Sequence, residues 1–292
     1  MIYRKIYLLV FLLVLSQYSV KANTGTISYC SDDSIEIVNL LNQGLQQPKN
    51  ENLILFYARY FINRPYGGGI LDKNKDEHLT IYLKKLDCLT FVETTMALYL
   101  TTKQKRKDFK SFCQNLQNIR YKNGEICNYT SRLHYFSTWI ANGERNKYIK
   151  EIIPEKCCSS IFAKKKKHIN FMSQHRSQYP ALINHPEYIK SVVNDENILS
   201  DKIVYYIPRD KVGYTIDKLG EIIKDGDILA MVTGRKGLDV SHLGFAVWGK
   251  DKKLHLLNAS SLHKKVVLER RPLDAYMKTQ RLQEGIRVIR IK

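Results

Sequence analysis

The feature that most constrains the fold is a change of pattern near residue 200. Before it, apolar residues recur at helical spacing; after it, short runs rich in branched and aromatic residues are separated by glycine and charged turns. Helices early in the chain and an antiparallel sheet later are typical of an α+β fold. The later runs predict strands at residues 203–207, 227–232, 242–248, 254–258, 265–268 and 286–291.

The earlier part of the chain predicts mainly helices. A short strand is expected at residues 80–83, and Ser31, Asp32 and Asp33 are candidate caps for the first helix. Apolar spacing predicts helices at residues 34–46, 52–63, 109–121, 132–142 and 168–178.

The region 101–190 differs from its surroundings because it is polar and rich in lysine. The four consecutive lysines at 164–167 are expected to form a solvated loop or a helix face. About 270 residues suffice for one large domain, so we expect a single domain over residues 23–292 with a helical elaboration at 101–190.

Residues 1–22 have the composition of a secretory signal peptide. Arg4 and Lys5 precede a short apolar stretch, and Val20 and Ala22 occupy the −3 and −1 positions of a cleavage site. The apolar stretch is too short for a comfortable membrane span. We therefore expect an exported protein, periplasmic or secreted, without stable membrane insertion. An uncleaved anchor is the alternative.

Six cysteines lie beyond this segment, and export would permit disulfides among them. Cys113 and Cys127 could close a loop, and Cys30 could reach the adjacent Cys157 and Cys158, but spacing does not fix the connectivity. No pair has the two-residue ligand spacing of a zinc site, so we expect no bound metal.

Cys88 is the strongest candidate for a chemically active residue. It follows Asp87 and opens an apolar stretch of helical spacing, which places its thiol at the first turn of a helix. Unpaired N–H groups and the positive end of the helix dipole favour a thiolate there. A free thiol, with a pKa near ~8.5, is mostly protonated at neutral pH, so a histidine base is also needed.

His242 is the candidate base, and Asn258 the candidate third residue. His242 begins one predicted strand, and Asn258 ends the next. If these strands pair, the two side chains are neighbours, and the amide can orient the imidazole as the third member of a triad does. Together the three residues predict a Cys–His enzyme.

Several segments then identify a resemblance to a known family. The chain resembles the papain-like cell-wall cysteine hydrolases of the NlpC type, and more closely their N-acetylmuramoyl-L-alanine amidase-like branch. The resemblance implies a papain-like core, in which the nucleophile helix packs on a small antiparallel sheet or barrel, with a helical insertion. The matching segments are residues 64–69, 86–93, 129–140, 206–208, 225–228, 237–247 and 256–261.

The resemblance also implies an activity: hydrolysis of the amide between the lactyl group of N-acetylmuramic acid and L-alanine, without an organic cofactor. Cys88 resembles the nucleophile and His242 the general base. Asn258 stands where many relatives in the wider superfamily have histidine.

Further residues match substrate-binding positions of the family. Tyr66 matches a tyrosine near the oxyanion, and Asp87 an aspartate that holds a free substrate amine in peptidase relatives. Arg132 and Tyr135 are candidates for a wall of the cleft, where an arginine would bind a carboxylate or sugar; the alternative is helix packing with a surface arginine. Ser241 precedes the base and is expected to line the groove.

The formal net charge of +19 favours anionic partners. We expect peptidoglycan or muropeptides rather than nucleic acid, and a monomeric protein. The alternatives are a cell-wall endopeptidase that cuts within the stem peptide, a lipid-acting relative on the same fold, and a basic non-catalytic wall-binding or nucleic-acid-binding protein.

Overall fold

The structure is a computed structural model that describes residues 27–72, 76–155 and 160–292. The predicted signal at residues 1–22, and Cys157 and Cys158, lie outside the described residues. No helix in the described part is long and apolar enough to cross a bilayer.

The larger helices precede most of the sheet, as expected. The long helices are α1 (Ser31–Leu45), α2 (Leu53–Tyr60), α3 (Cys88–Lys103), α4 (Phe109–Arg120), α5 (Phe136–Arg145) and α8 (Ile189–Leu199). The short ones are α6 (Phe171–Gln174), α7 (Pro180–Asn184), α9 (Ile216–Leu219) and α10 (Leu273–Lys278).

The main sheet has eight strands in the described residues, and neighbouring strands in it pair antiparallel. These strands are β3 (Ile149–Ile152), β4 (Ala163–Lys166), β5 (Ile203–Pro208), β6 (Ile228–Thr233), β7 (Val240–Trp248), β8 (Leu254–Ser260), β9 (Lys265–Leu268) and β10 (Gln283–Ile291). Their order is β4-β5-β10-β6-β7-β8-β9, and β3 also pairs with β10. A separate parallel pair joins β1 (Ile27–Ser28) to β2 (Leu79–Thr80).

The last strand, β10, forms backbone hydrogen bonds with three other strands. Its start pairs with β5, its later residues pair with β3, and β6 runs along its other edge. Gly285 permits the approach to β5, since an added Cβ would lie 2.3 Å from the Ile207 carbonyl oxygen. The sheet therefore depends on contacts between segments that are distant in sequence.

Helix α3 is central to the largest core, which lies on one face of the sheet. Phe91 packs edge-to-face against Phe245 of β7, with ring centroids 5.4 Å apart, and Leu257 and Ala259 of β8 belong to the same cluster. A second cluster of buried apolar residues lies on the opposite face of the sheet and includes residues of α10. A third such cluster lies in the helical region after residue 129. Helix α3 therefore packs directly against β7 and β8.

The α+β prediction is confirmed as a mixed fold with helices and an antiparallel sheet. The predicted strands at 203–207 and 265–268 correspond closely to β5 and β9. The lysine run at 164–167 was expected in a loop or helix face, which was wrong: most of it forms β4 beside β5. Backbone pairing decides its structure, and Lys165 is neutralised by Glu284 at 2.5 Å.

Some helix boundaries differ from the expectation. The helix predicted at 132–142 begins at Phe136, because residues 129–131 form a 3-10 turn and Arg132 is extended. The helix predicted at 168–178 is reduced to α6 and a 3-10 turn. In α1 the capping position is Cys30, one residue before the predicted candidates.

The described cysteines are free thiols: Cys30, Cys88, Cys113 and Cys127. The loop closure between Cys113 and Cys127 is therefore wrong for this structure. Cys113 is buried in α4, whereas Cys127 is exposed.

Candidate active site

Cys88 is the first residue of α3, and local hydrogen bonds define that helix end. Asp87 Oδ1 accepts from the backbone N–H of Thr90 at 2.8 Å, and Thr90 Oγ1 accepts from the backbone N–H of Asp87 at 2.9 Å. This reciprocal arrangement is a capping box. It fixes the direction in which the first turn presents the thiol.

Tyr66 is brought beside this helix end by the preceding loop. Residues 65 and 67 bond to the backbone of Leu86, so the loop runs alongside the chain that leads to Cys88. Burial, with the nearby Cys88 and Asp87, raises the pKa of Tyr66 to about 12. Its phenol therefore stays protonated at neutral pH and is available as a hydrogen-bond donor.

His242 and Asn258 are neighbours, as the strand pattern predicts. Strands β7 and β8 pair with Phe245 opposite Leu257, and the His242 Nε2 and Asn258 Oδ1 atoms are 2.9 Å apart. An amide oxygen only accepts, so Nε2 is the donor. The neutral ring therefore carries its proton on Nε2 and keeps a lone pair on Nδ1.

Strand β7 also contacts Cys88 directly. The backbone N–H of Leu243, the residue after His242, lies close enough to the Cys88 thiol to oppose the rise in the pKa of that thiol. No hydrogen bond joins the thiol to the His242 ring in the described structure, and catalytic bonds of this kind often tighten only when substrate is bound. The strand thus places the imidazole at the same helix end as the thiol.

Glu269 orients the amide of Asn258. Asn258 is fully buried, and its Nδ2 donates to Glu269 Oε1 at 3.4 Å. A carboxylate only accepts, so the amide nitrogen must face Glu269 and the amide oxygen must face His242. The other oxygen of Glu269 lies 3.2 Å from His263 Nε2. A chain of contacts therefore runs from His263 through Glu269 and Asn258 to His242.

The electrostatics favour an uncharged thiol and an uncharged imidazole at rest. Burial and the Asp87 carboxylate raise the pKa of Cys88 to about 12, despite opposing N–H groups from the helix start and Leu243. Burial lowers the pKa of His242, against the effects of Asn258 and Glu269. Desolvation therefore opposes the thiolate that the helix terminus favours.

A surface groove of about 590 Å³ opens beside His242. We call it the His242 groove; its lining includes Arg235, Ser241, His242, Tyr276, Arg281 and Gln283. Ser241 is exposed there, as the sequence predicts. Tyr276 of α10 lies close enough to Cys88 and Glu269 for both to raise its pKa, which burial brings to about 12.

Three other predicted site residues make interior contacts. Arg132 is buried, forms an ion pair with Asp72, lies 3.6 Å from Glu77 and covers the Tyr129 ring. The Tyr135 hydroxyl donates to Glu196 at 2.7 Å. Asp87 is engaged as the cap of α3. These contacts give each residue a structural task.

Sequence reasoning did not identify Glu269, Tyr276 or Gln283. Glu269 follows a short strand and has no motif around it. The pairing of β8 with β9 could have pointed to Glu269. In that pairing Asn258 lies opposite Val267, and Glu269 is two residues after Val267. Tyr276 lies on α10, and no helix was predicted there.

Similar structures are known for most of the chain. They include an N-acetylmuramoyl-L-alanine amidase from Bacteroides uniformis, 36% identical, with a TM-score of 0.74, covering 86% of this chain and 99% of that one. A protein from Bacteroides fragilis with the provisional name xylanase is 38% identical, with a TM-score of 0.73. The match covers 81% of this chain and 100% of the Bacteroides fragilis chain.

A Legionella pneumophila protein shares the fold at 22% identity, with a TM-score of 0.68 and coverage of 89% and 94% of the two chains. Among proteins of curated function, no sequence matches significantly. The sequence profile of the N-acetylmuramoyl-L-alanine amidase-like family, in contrast, matches residues 57–286, which is most of the chain and includes Cys88, His242 and Asn258. The chain therefore belongs to the N-acetylmuramoyl-L-alanine amidase-like family.

Proposed function

We propose that this protein is a cysteine amidase that hydrolyses the bond between the lactyl group of N-acetylmuramic acid and L-alanine in peptidoglycan or muropeptides. Cys88 is the nucleophile, His242 the general base and acid, and Asn258 the residue that orients the imidazole. In this proposal the core is papain-like, of the NlpC type: a nucleophile at a helix start faces a base on the adjoining sheet.

The first half-reaction forms a thioester. His242 Nδ1 takes the thiol proton as the sulfur attacks the lactyl carbonyl carbon. In this proposal the Cys88 backbone N–H and the Tyr66 hydroxyl donate hydrogen bonds to the oxyanion. The imidazolium then donates its proton to the L-alanine nitrogen, the carbon–nitrogen bond breaks, and the stem peptide leaves with a free amine.

The second half-reaction restores the enzyme. His242 takes a proton from water, and the resulting nucleophile attacks the thioester carbonyl carbon. When the carbon–sulfur bond breaks, the imidazolium returns a proton to the departing sulfur. The muramic acid leaves with a free lactyl carboxyl group, and Cys88 is again a neutral thiol.

The observation that carries the proposal is the contact between His242 Nε2 and Asn258 Oδ1 at 2.9 Å, on a strand that also contacts the Cys88 thiol. Because Nε2 donates to Asn258, the Nδ1 lone pair is left to act as the base. In the proposal it acts on Cys88 at the start of α3. Family membership supports the substrate class. The same membership supports an extracellular or periplasmic location, while cleavage of a signal at residues 1–22 stays a prediction.

The contacts of Asp87 are compatible with the amidase. An endopeptidase of this kind would use Asp87 to hold a free substrate amine. Here Asp87 Oδ1 already accepts from the N–H and, at 2.8 Å, from the hydroxyl of Thr90. An amidase substrate has no free amine at that position and does not need the carboxylate.

The test uses a defined disaccharide tetrapeptide and mass spectrometry of the products. Wild-type protein is expected to release intact tetrapeptide that begins with L-alanine, and Cys88→Ala is expected to lose all turnover. Cys127→Ala removes an exposed thiol instead and should leave turnover unchanged.

Other products would contradict the proposal. Cleavage within the tetrapeptide would indicate the endopeptidase, and release of tetrapeptide by Cys88→Ala would exclude Cys88 as the nucleophile. Absence of any cleavage by folded wild-type protein would exclude the muropeptide substrate.

A further inference from the structure

The His242 groove is positively charged. Arg235 and Arg281 both line it and are exposed. Neither guanidinium has a carboxylate partner among the described residues; Arg235 instead lies 4.9 Å from the centroid of the Phe171 ring. Glu284 lies close in sequence, but its carboxylate is engaged by Lys165. The groove can therefore accept a carboxylate without displacing an existing ion pair.

Gln283 supplies a second, independent sign of a ligand. It is only 7% exposed and lines the same groove. Its side chain lies close enough to Tyr276 to counter part of the rise in the pKa of that phenol, but its Oε1 is buried and has no hydrogen-bond partner in the described structure. Buried amide oxygens are normally paired, so an N–H group from a ligand would complete this one.

The position of the groove determines which part of a substrate it faces. In the proposed reaction, His242 donates a proton to the departing nitrogen, so that nitrogen must lie within hydrogen-bonding reach of the imidazole. Whatever is attached to the nitrogen then extends past His242. In a muropeptide, that part is the stem peptide, whose second residue is a glutamate linked through its side chain.

We propose that the His242 groove is the binding site for the leaving stem peptide, in which Arg235 and Arg281 pair with the free α-carboxylate of the second residue and Gln283 Oε1 accepts a peptide N–H. This inference rests on the proposed amidase function and extends it to a substrate preference. A stem with a free carboxylate is a better substrate than one in which that group is a carboxamide. Charge-assisted pairing with arginine distinguishes the two groups.

The test compares two muramoyl peptides that differ only in this group, a carboxylate in one and a carboxamide in the other. For wild-type protein we expect kcat/KM to be about 10-fold or more higher for the carboxylate, as the loss of a charge-assisted contact implies. The double variant with Arg235→Ala and Arg281→Ala should cut both peptides at rates within about twofold.

A matched control removes a positive charge elsewhere. Arg59 is an exposed arginine of α2 that does not line the groove, and Arg59→Ala should keep the full preference. Conversion of both groove arginines to lysine should retain part of it, since charge remains but the planar pairing is lost.

The outcomes separate the two proposals. Equal wild-type rates on both peptides would overturn the stem-peptide site and leave the amidase function intact. An unchanged preference in the double alanine variant would also overturn it. Failure of wild-type protein to cut either peptide would overturn the amidase function and this inference together.

Discussion

At the scale of single residues, proton affinity at the site is set by neighbours that do not react. Glu269 fixes which end of the Asn258 amide faces His242, and its charge stabilises the imidazolium. Burial lowers the pKa of His242, whereas the charge of Glu269 raises it, and burial has the larger effect. As the proposed base, His242 therefore combines a fixed tautomer with a weakened affinity for a second proton.

The pH dependence of the reaction follows from this balance. Because the pKa of His242 is lowered, the ring stays neutral below the ordinary histidine pKa of ~6.5. We expect the acid limb of kcat/KM, measured on the defined muropeptide, to lie below that pH. Glu269→Gln keeps an oxygen for Asn258 but removes the negative charge, so the limb should move to still lower pH.

Two results would contradict this account. An acid limb at or above the ordinary histidine value would mean that burial does not dominate, and an upward shift in Glu269→Gln would mean that the charge acts in the opposite sense. Glu269→Ala is the complementary variant, because it frees the amide of Asn258 to rotate. It should lower kcat more than Glu269→Gln does, with KM nearly unchanged.

At the scale of elements, the start of α3 serves both stability and chemistry. Asp87 caps the helix and also raises the pKa of Cys88. The two effects arise from different properties of the Asp87 side chain. The cap requires a hydrogen-bond acceptor, whereas the effect on the thiol requires a negative charge.

Substitutions at Asp87 can separate the two. Asp87→Asn should keep the cap, since asparagine is as good a capping residue, and should lower the pKa of the Cys88 thiol. Asp87→Ala should reduce the free energy of unfolding by about 1 kcal/mol. Urea denaturation and the pH dependence of iodoacetamide reaction with Cys88 measure the two effects. Equal stability of all three proteins would show that the cap contributes nothing.

The same scale shows what sequence patterns can predict. Strands β5 to β10 were found because each combines branched residues with adjacent turns, and His242 and Asn258 could be paired from successive strands. Strands β3 and β4 were not predicted, because lysine-rich or short segments become strands only when a neighbour supplies the hydrogen bonds. The partner Glu269 depends on the same tertiary pairing.

At the scale of the whole molecule, acid should weaken the fold in a defined pH range. His134 is half-buried, and its Nε2 lies 2.8 Å from the carbonyl oxygen of Tyr129. Burial, together with the nearby Arg132, lowers the pKa of His134 to about 3. In the unfolded chain the same ring titrates near ~6.5. Between these values the unfolded state binds the extra proton, so stability falls as pH decreases.

The expected slope can be measured by urea denaturation between pH 7 and pH 4. His134 should contribute at most about 1.4 kcal/mol per pH unit below its unfolded pKa. His134→Gln, which cannot titrate, should lose stability less steeply than wild type. The control His168→Gln changes an exposed ring and should follow the wild-type slope. Parallel curves for wild type and His134→Gln would rule out this contribution.

The position of β10 in the sheet also bears on when the molecule can fold during synthesis. Strand β10, at residues 283–291, is the element that connects β3 and β5 to β6. A nascent chain that ends before residue 283 can form helices and the β7–β8–β9 hairpins, which are local in sequence. It cannot complete the sheet, since sequence-distant strand pairing is both late and slow. Completion of the core therefore waits for β10, and a chain that lacks this strand exposes the open edges of β5 and β6.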